Sequence, residues 1–216
     1  MHRVLLGPPG TPLRILCLGA HCDDIEIGCG GSLLRLLGER SGCEVHWVVL
    51  ASTPTREAET RSSATEFLAA AGRSRVTVEA FRESYFPYEG GAVKDYFERL
   101  KADMPPDLIF THHRHDQHQD HRLVAELTWN TFRDHLIAEY EIPKYEGDLG
   151  APNLFVPLPR TIAQRKVDLI LRHYRSQAGR SWFRRETFEA VMSLRGVECN
   201  AQEGLAEAFH GRKISV

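Results

Sequence analysis

The sequence predicts a doubly wound α/β sandwich of three layers built on a mostly parallel sheet, and three observations predict it. Leu13 to Ala20 is an almost unbroken apolar run behind Pro12, the pattern of a strand buried on both faces. Gly30 to Leu37 then places Leu33, Leu34, Leu36 and Leu37 at helical spacing, and Glu44 to Ala51 returns to a β-branched and aromatic strand pattern. The same alternation continues: Arg56 to Ala71 reads as helix, Arg75 to Phe81 as strand, Val93 to Ala102 as helix, Asp107 to Thr111 as strand and Arg122 to about Leu136 as helix. Pro105 and Pro106 separate the last helix–strand pair. Strands joined by helical crossovers form parallel sheets covered on both sides, which makes this a Rossmann-like arrangement. From Thr161 onward the pattern reads as helical with an irregular tail.

One domain over residues 1–216 is expected, with a core of about 13–136 and a C-terminal elaboration over 137–216. Its formal charge of -2 and pI near 6.6 exclude a nucleic-acid-wrapping or anionic-membrane role as a default. Cys17, Cys22, Cys29, Cys43 and Cys199 are odd in number and fit no paired spacing, which points to a reducing compartment. The N-terminal stretch has early basic and apolar residues, but Gly and Pro interrupt it, so no signal peptide is read. With no run near the roughly 20 apolar residues of a membrane span, a cytoplasmic location is expected. The expected partner is a small molecule, and a homo-oligomer is compatible with the sequence.

Two polar clusters follow predicted strands, where open α/β sheets bind ligands. The first, at His21, Asp23 and Asp24, sets an imidazole beside adjacent carboxylates; His21 and Asp24 can turn to one metal ion while Asp23 serves as a base. A carboxylate at a helix N-terminus is equally an ordinary cap. The second runs from Thr111 to His121 and holds His112, His113, His115, His118 and His121. A solvated His-rich loop is the plain reading of His112, His113 and His115. A catalytic zinc takes protein N and O donors and keeps one position open, a count that His21, Asp24 and His121 meet. Asp23 and His118 are then available as base and oxyanion donor, and Asp120 as the carboxylate that orients a neighbouring imidazole.

On the His-x-Asp-Asp segment at His21, Asp23 and Asp24, on Gly28, Gly30 and Gly31 behind it, and on the His-x-Asp-His segment at His118, Asp120 and His121, the chain resembles the PIG-L/LmbE-like deacetylases. That resemblance implies one zinc ion per subunit held by His21, Asp24 and His121, Asp23 as general base, and a protonated His118 that stabilises the oxyanion with a bell-shaped pH profile. It implies hydrolysis of the N-acetyl amide of a GlcNAc-type sugar conjugate, releasing acetate and a free amine. It also places Arg56 and Glu59 near the substrate, though an exposed helical pair is the alternative. Cys22 stands where many members have Pro, and is expected to point inward rather than at the metal.

The segment from Glu139 to Gly150 could border a sugar site or be a connector, and Arg172, Arg175, Arg180, Arg184 and Arg185 could meet a phosphate or form a solvated helix face. Two rival functions stand beside the deacetylase. One is a two-metal phosphoesterase using His115 or Asp116 as extra ligands. The other is a nucleotide- or sugar-binding module using Gly28-Cys29-Gly30-Gly31, which lacks the GxGxxG spacing.

Overall fold

The computed structural model describes residues 6–8 and 10–214. Part of the N-terminal stretch weighed as a targeting segment lies outside the described residues. The elements in chain order are β1 (Arg14–Gly19), α1 (Asp24–Glu39), β2 (Glu44–Val49), α2 (Pro54–Phe67), β3 (Arg73–Val78), α3 (Gly90–Asp103), β4 (Leu108–His112), α4 (Gln119–Thr131), β5 (Leu136–Tyr140), β6 (Leu154–Pro157), α5 (Arg160–His173), α6 (Arg185–Glu198) and β7 (Ala206–Gly211). They form a seven-stranded sheet in the order β3-β2-β1-β4-β5-β7-β6. Strands β1 to β5 pair in parallel, while β7 runs antiparallel to both β5 and β6. The edges of the sheet are β3 and β6.

The period-two alternation of the strands divides the core. Ile15, Cys17, Val45 and Trp47 face a layer that includes α1, α2, α5 and α6, through residues such as Leu33, Phe67, Ile170 and Met192. Leu16, Leu18, Val48 and Ile109 face α3 and α4 through Phe97, Leu100, Val124 and Leu127. Among the described residues no helix is long and apolar enough to cross a membrane.

The sequence-based expectation erred in three places. Helix α1 starts at Asp24, not Gly30, because the glycines that argue against a helix are what let it lie close to its neighbours. A Cβ on Gly28 would sit 2.2 Å from the Tyr140 ring, and one on Gly30 or Gly31 would meet Phe67 or Leu158 at 2.7 and 2.6 Å. No Gly or Pro marks the turn that ends α4 at Thr131, short of the expected Leu136, and strand β5, which begins at Leu136, has no counterpart among the expected elements. The part from Thr161 onward, read as helical with an irregular tail, supplies β7 to the main sheet, and β6 precedes it without having been expected. Strand β7 is specified by tertiary contacts: buried Glu207 accepts from the N–H groups of Gly31 and Ser32 at 2.8 and 2.6 Å and pairs with buried Lys166.

These contacts separate two glycines of α1. Gly28→Ala should destabilise the protein by about 1–3 kcal/mol through overpacking against Tyr140. Exposed Gly38, with open space around its Cβ position, should gain roughly 0.5–1 kcal/mol on conversion to Ala. Urea denaturation of both variants checks the opposite signs.

Candidate active site

The strand order reverses on either side of β1 and β4, which lie side by side with Ile15 opposite Leu108 and Cys17 opposite Phe110. The loops leaving their carboxyl ends therefore meet at this switch point. One carries His21 to Asp24 and the other His112 to His121.

The β1 loop is shaped by Asp23, which enters α1 in the left-handed region at φ 89. Asp23 holds the N-cap position, yet its side chain caps nothing. Its Oδ1 lies 2.9 Å from the Arg56 guanidinium, and its buried Oδ2 has no partner. Burial, partly offset by Arg56, pushes its carboxyl well above the usual range. Asp24 instead accepts the His21 backbone N–H at 2.7 Å and turns toward the histidines. Burial opposes its charge, but the surrounding imidazoles, His121 first, hold its carboxyl far below the usual range. Cys22 points away, its thiol lying 3.3 Å from Ser52 Oγ, as expected of an inward-facing residue.

The other loop brings His121 to His21. His21 Nδ1 and His121 Nε2 stand 3.1 Å apart, and Asp24 oxygens lie 3.6 Å from the first and 3.7 Å from the second. Donors each about 2.0–2.2 Å from a tetrahedral zinc are separated by about 3.3–3.6 Å, and the observed 3.1, 3.6 and 3.7 Å come within about 0.2 Å of that range. The opposite nitrogen of each ring is committed to a carboxylate: His21 Nε2 to Asp120 at 3.1 Å and His121 Nδ1 to Asp116 at 2.9 Å. Each carboxylate fixes its imidazole so that the other lone pair faces inward. Two lone pairs so placed repel unless a cation or proton lies between them. All these side chains are buried.

Asp120 reaches further. It accepts from the backbone N–H groups of Ser84 at 2.6 Å and Phe86 at 3.2 Å, anchoring the loop after β3 against the site. Ser84 is itself left-handed at φ 67. His118 caps α4 by accepting the Asp120 N–H on Nδ1 at 3.3 Å, so its proton belongs on Nε2. Burial holds it below its ordinary value. Against the expectation of a protonated His118, the ring already accepts a hydrogen bond at Nδ1, which leaves Nε2 to carry its proton toward the site.

Sequence reasoning took His112 for a solvated loop residue and weighed Asp116 only as an extra ligand of a two-metal site. His112 is fully buried, stacks on His121 with ring centroids 3.8 Å apart, and has Nε2 3.1 Å from Asp24 Oδ2. Among the described residues two groups are compatible with a metal, His21 with His118 and His121, and Asp24 with His121 and His112, so the second would need His112 as a ligand. Its Nε2, however, already accepts the Ala20 N–H at 3.0 Å, which occupies the lone pair a ligand needs. The position of His112 at the end of a strand beside β1 was the available signal. Nothing in the spacing marks Asp116. His113 pairs with Glu139 at 2.8 Å and stacks on His210, and His115 is exposed. Glu59 holds Ser176 rather than the site, and Arg172 and Arg185 form exposed ion pairs with Glu66 and Asp168.

The family model described as PIG-L, GlcNAc-PI de-N-acetylase, matches residues 16–132. The chain belongs to the PIG-L family. The Uncharacterized deacetylase YaiS of Escherichia coli (strain K12) is 29% identical over 138 residues, covering 58% of this chain and 71% of that protein. The fold is similar to N,N'-diacetylchitobiose deacetylase from Pyrococcus horikoshii, with a TM-score of 0.70 at 21% identity over 92% of this chain and 83% of that one. It is also similar to GalB, the 4-carboxy-2-hydroxymuconate hydratase of Pseudomonas putida KT2440, with a TM-score of 0.67 at 18% identity over 94% and 98% of the two chains. The PIG-L fold thus resembles both a deacetylase and a hydratase, and the reaction must be argued from side chains.

Behind Asp23, fully buried Glu26 accepts from Tyr174 Oη at 2.5 Å and Ser63 Oγ at 2.7 Å, and burial pushes its carboxyl from 4.5 up to about 7. The folded state therefore holds a proton that the unfolded chain loses. Stability from this group is full below pH 4.5 and is lost as pH rises through 7. Glu26→Gln should remove this dependence, gaining on the order of 2–3 kcal/mol over wild type between pH 4.5 and pH 8. Denaturant titrations at the two pH values check it.

Proposed function

We propose that the protein is a zinc-dependent N-deacetylase that hydrolyses the N-acetyl amide of a GlcNAc-type sugar conjugate to acetate and a free amine. One observation carries the reading: the inward lone pairs of His21 Nδ1 and His121 Nε2 converge with the Asp24 carboxylate, beside the unpartnered Asp23 Oδ2. PIG-L membership and the deacetylase names of YaiS and the Pyrococcus enzyme support the same reaction class.

In this reading His21, Asp24 and His121 hold one zinc ion. Bound there, it would polarise the amide carbonyl and acidify the attacking water. Asp23 is the base: its partnerless, desolvated oxygen accepts the water's proton and later delivers it to the leaving nitrogen. Arg56, assigned to substrate at first, grips Asp23 Oδ1 and the Cys22 carbonyl and so keeps the base aimed and ionisable. His118 donates Nε2–H to the oxyanion of the tetrahedral intermediate. Asp120 and Asp116 keep the two imidazole ligands in the binding tautomer.

The rivals lose support on the same grounds. Asp116 is spent on His121, the His118 N–H and Lys144, and His115 is exposed, which leaves neither turned toward a second ion. Gly28, Gly30 and Gly31 are filled over by Tyr140, Phe67 and Leu158, with no cradle for a phosphate. The five free, buried cysteines suit a reducing compartment, and we place the enzyme in the cytoplasm.

Acetate release from a panel of free, phosphorylated, nucleotide-linked and lipid-linked N-acetylglucosamine tests the proposal. Asp23→Asn should cost about 10²–10⁴-fold in kcat while zinc still binds. Release that survives both chelation and this substitution would refute the mechanism. Arg56→Leu removes the charge that lowers the Asp23 pKa, so the acid limb of the kcat/KM profile should move to higher pH. An unmoved limb would separate Arg56 from the base.

A further inference from the structure

The segment after β5 touches the site at one side chain. Lys144 is half-buried, and its Nζ lies 3.0 Å from Asp116 Oδ2, the same oxygen that receives His121 Nδ1 at 2.9 Å. Nζ also lies 2.6 Å from each Asp148 oxygen. Asp148 Oδ2 in turn accepts the Gln117 N–H at 2.6 Å, and Asp116 Oδ1 accepts the His118 N–H at 2.7 Å. The side chains of Lys144, Asp116 and Asp148 are 9%, 2% and 8% exposed.

We propose that Lys144 is a positioning residue that sets metal affinity by holding Asp116, and through it His121, in place. The inference rests on the reading of His121 as a zinc ligand. Asp116 and Asp148 are two carboxylates in one poorly solvated pocket, and Lys144 is the cation both contact. Without its charge they repel, and a buried carboxylate stripped of its partner moves toward water. A displaced Asp116 no longer accepts His121 Nδ1–H. The imidazole is then free to rotate or to move its proton to Nε2, the nitrogen that faces His21. The ligand is lost without any change in the residues that touch the metal. The segment from 141 to 150 is thereby a brace whose seating controls how tightly zinc is held.

Zinc affinity of the full chain, measured by competition with a chromophoric chelator, decides the matter. Lys144→Met should weaken zinc binding about tenfold or more, within the range typical of residues behind a ligand, and Lys144→Arg should recover most of the loss. Lys144→Met should add little to Asp116→Asn, since both act on His121. Long-range ¹⁵N spectra of the metal-free protein should show His121 protonated on Nδ1 in wild type and a mixed tautomer in Lys144→Met. Should that variant not fold, Lys144→Gln keeps a donor of similar reach without the charge and should show the same affinity loss. Unchanged affinity in a folded Lys144 variant whose parent binds zinc would overturn the proposal and leave Lys144 a structural staple. A wild-type protein that binds no zinc would instead overturn the metal reading beneath it.

Discussion

The hydrogen bond between His21 Nε2 and Asp120 Oδ2 is the contact on which the site depends. It joins two loops that leave neighbouring strands yet lie 99 residues apart in sequence. The same carboxylate takes two backbone N–H groups from the loop after β3, so three segments are tied at one buried point. A carboxylate with no exposure is costly to bury, and it is stable here because each donor is supplied from a fixed backbone or ring. Fixing His21 in this way turns its other nitrogen inward. Much of the remaining geometry repeats the pattern on His121 with Asp116.

Electrostatics then divide the adjacent acids into different roles. Asp24 is surrounded by imidazoles and stays ionised despite burial, whereas Asp23 faces one guanidinium and keeps an oxygen free. Neighbours in sequence thus differ because the left-handed turn at Asp23 sends their side chains to different surroundings. Strain at Asp23 and Ser84, both beside the reactive groups, is held by the packed sheet below.

Much of this was legible in the sequence. The apolar runs announced β1, β2 and β4, since a strand buried on both faces has little choice of composition. His21, Asp24 and His121 could be singled out because they stand in the His-x-Asp-Asp and His-x-Asp-His segments and together meet the ligand count of a catalytic zinc. The supporting groups were harder to see. His112 and Asp116 act through orientation rather than type, and Lys144 acts through a contact 28 residues away. Strand β7 has a composition that suits a helix, and its pairing with β5 and β6, with Glu207 buried against α1 and Lys166, makes it a strand.

The two edges of the sheet carry a consequence for the protein in crowded solution. Strand β3 presents exposed Arg73 and Arg75, and β6 is four residues long and ends in Pro157. Repelling charge on one margin and a missing donor on the other blunt both against zipping onto a stray extended chain. A partly unfolded neighbour therefore finds no ready template here, and the molecule is protected from seeding ribbon-like aggregates at either flank.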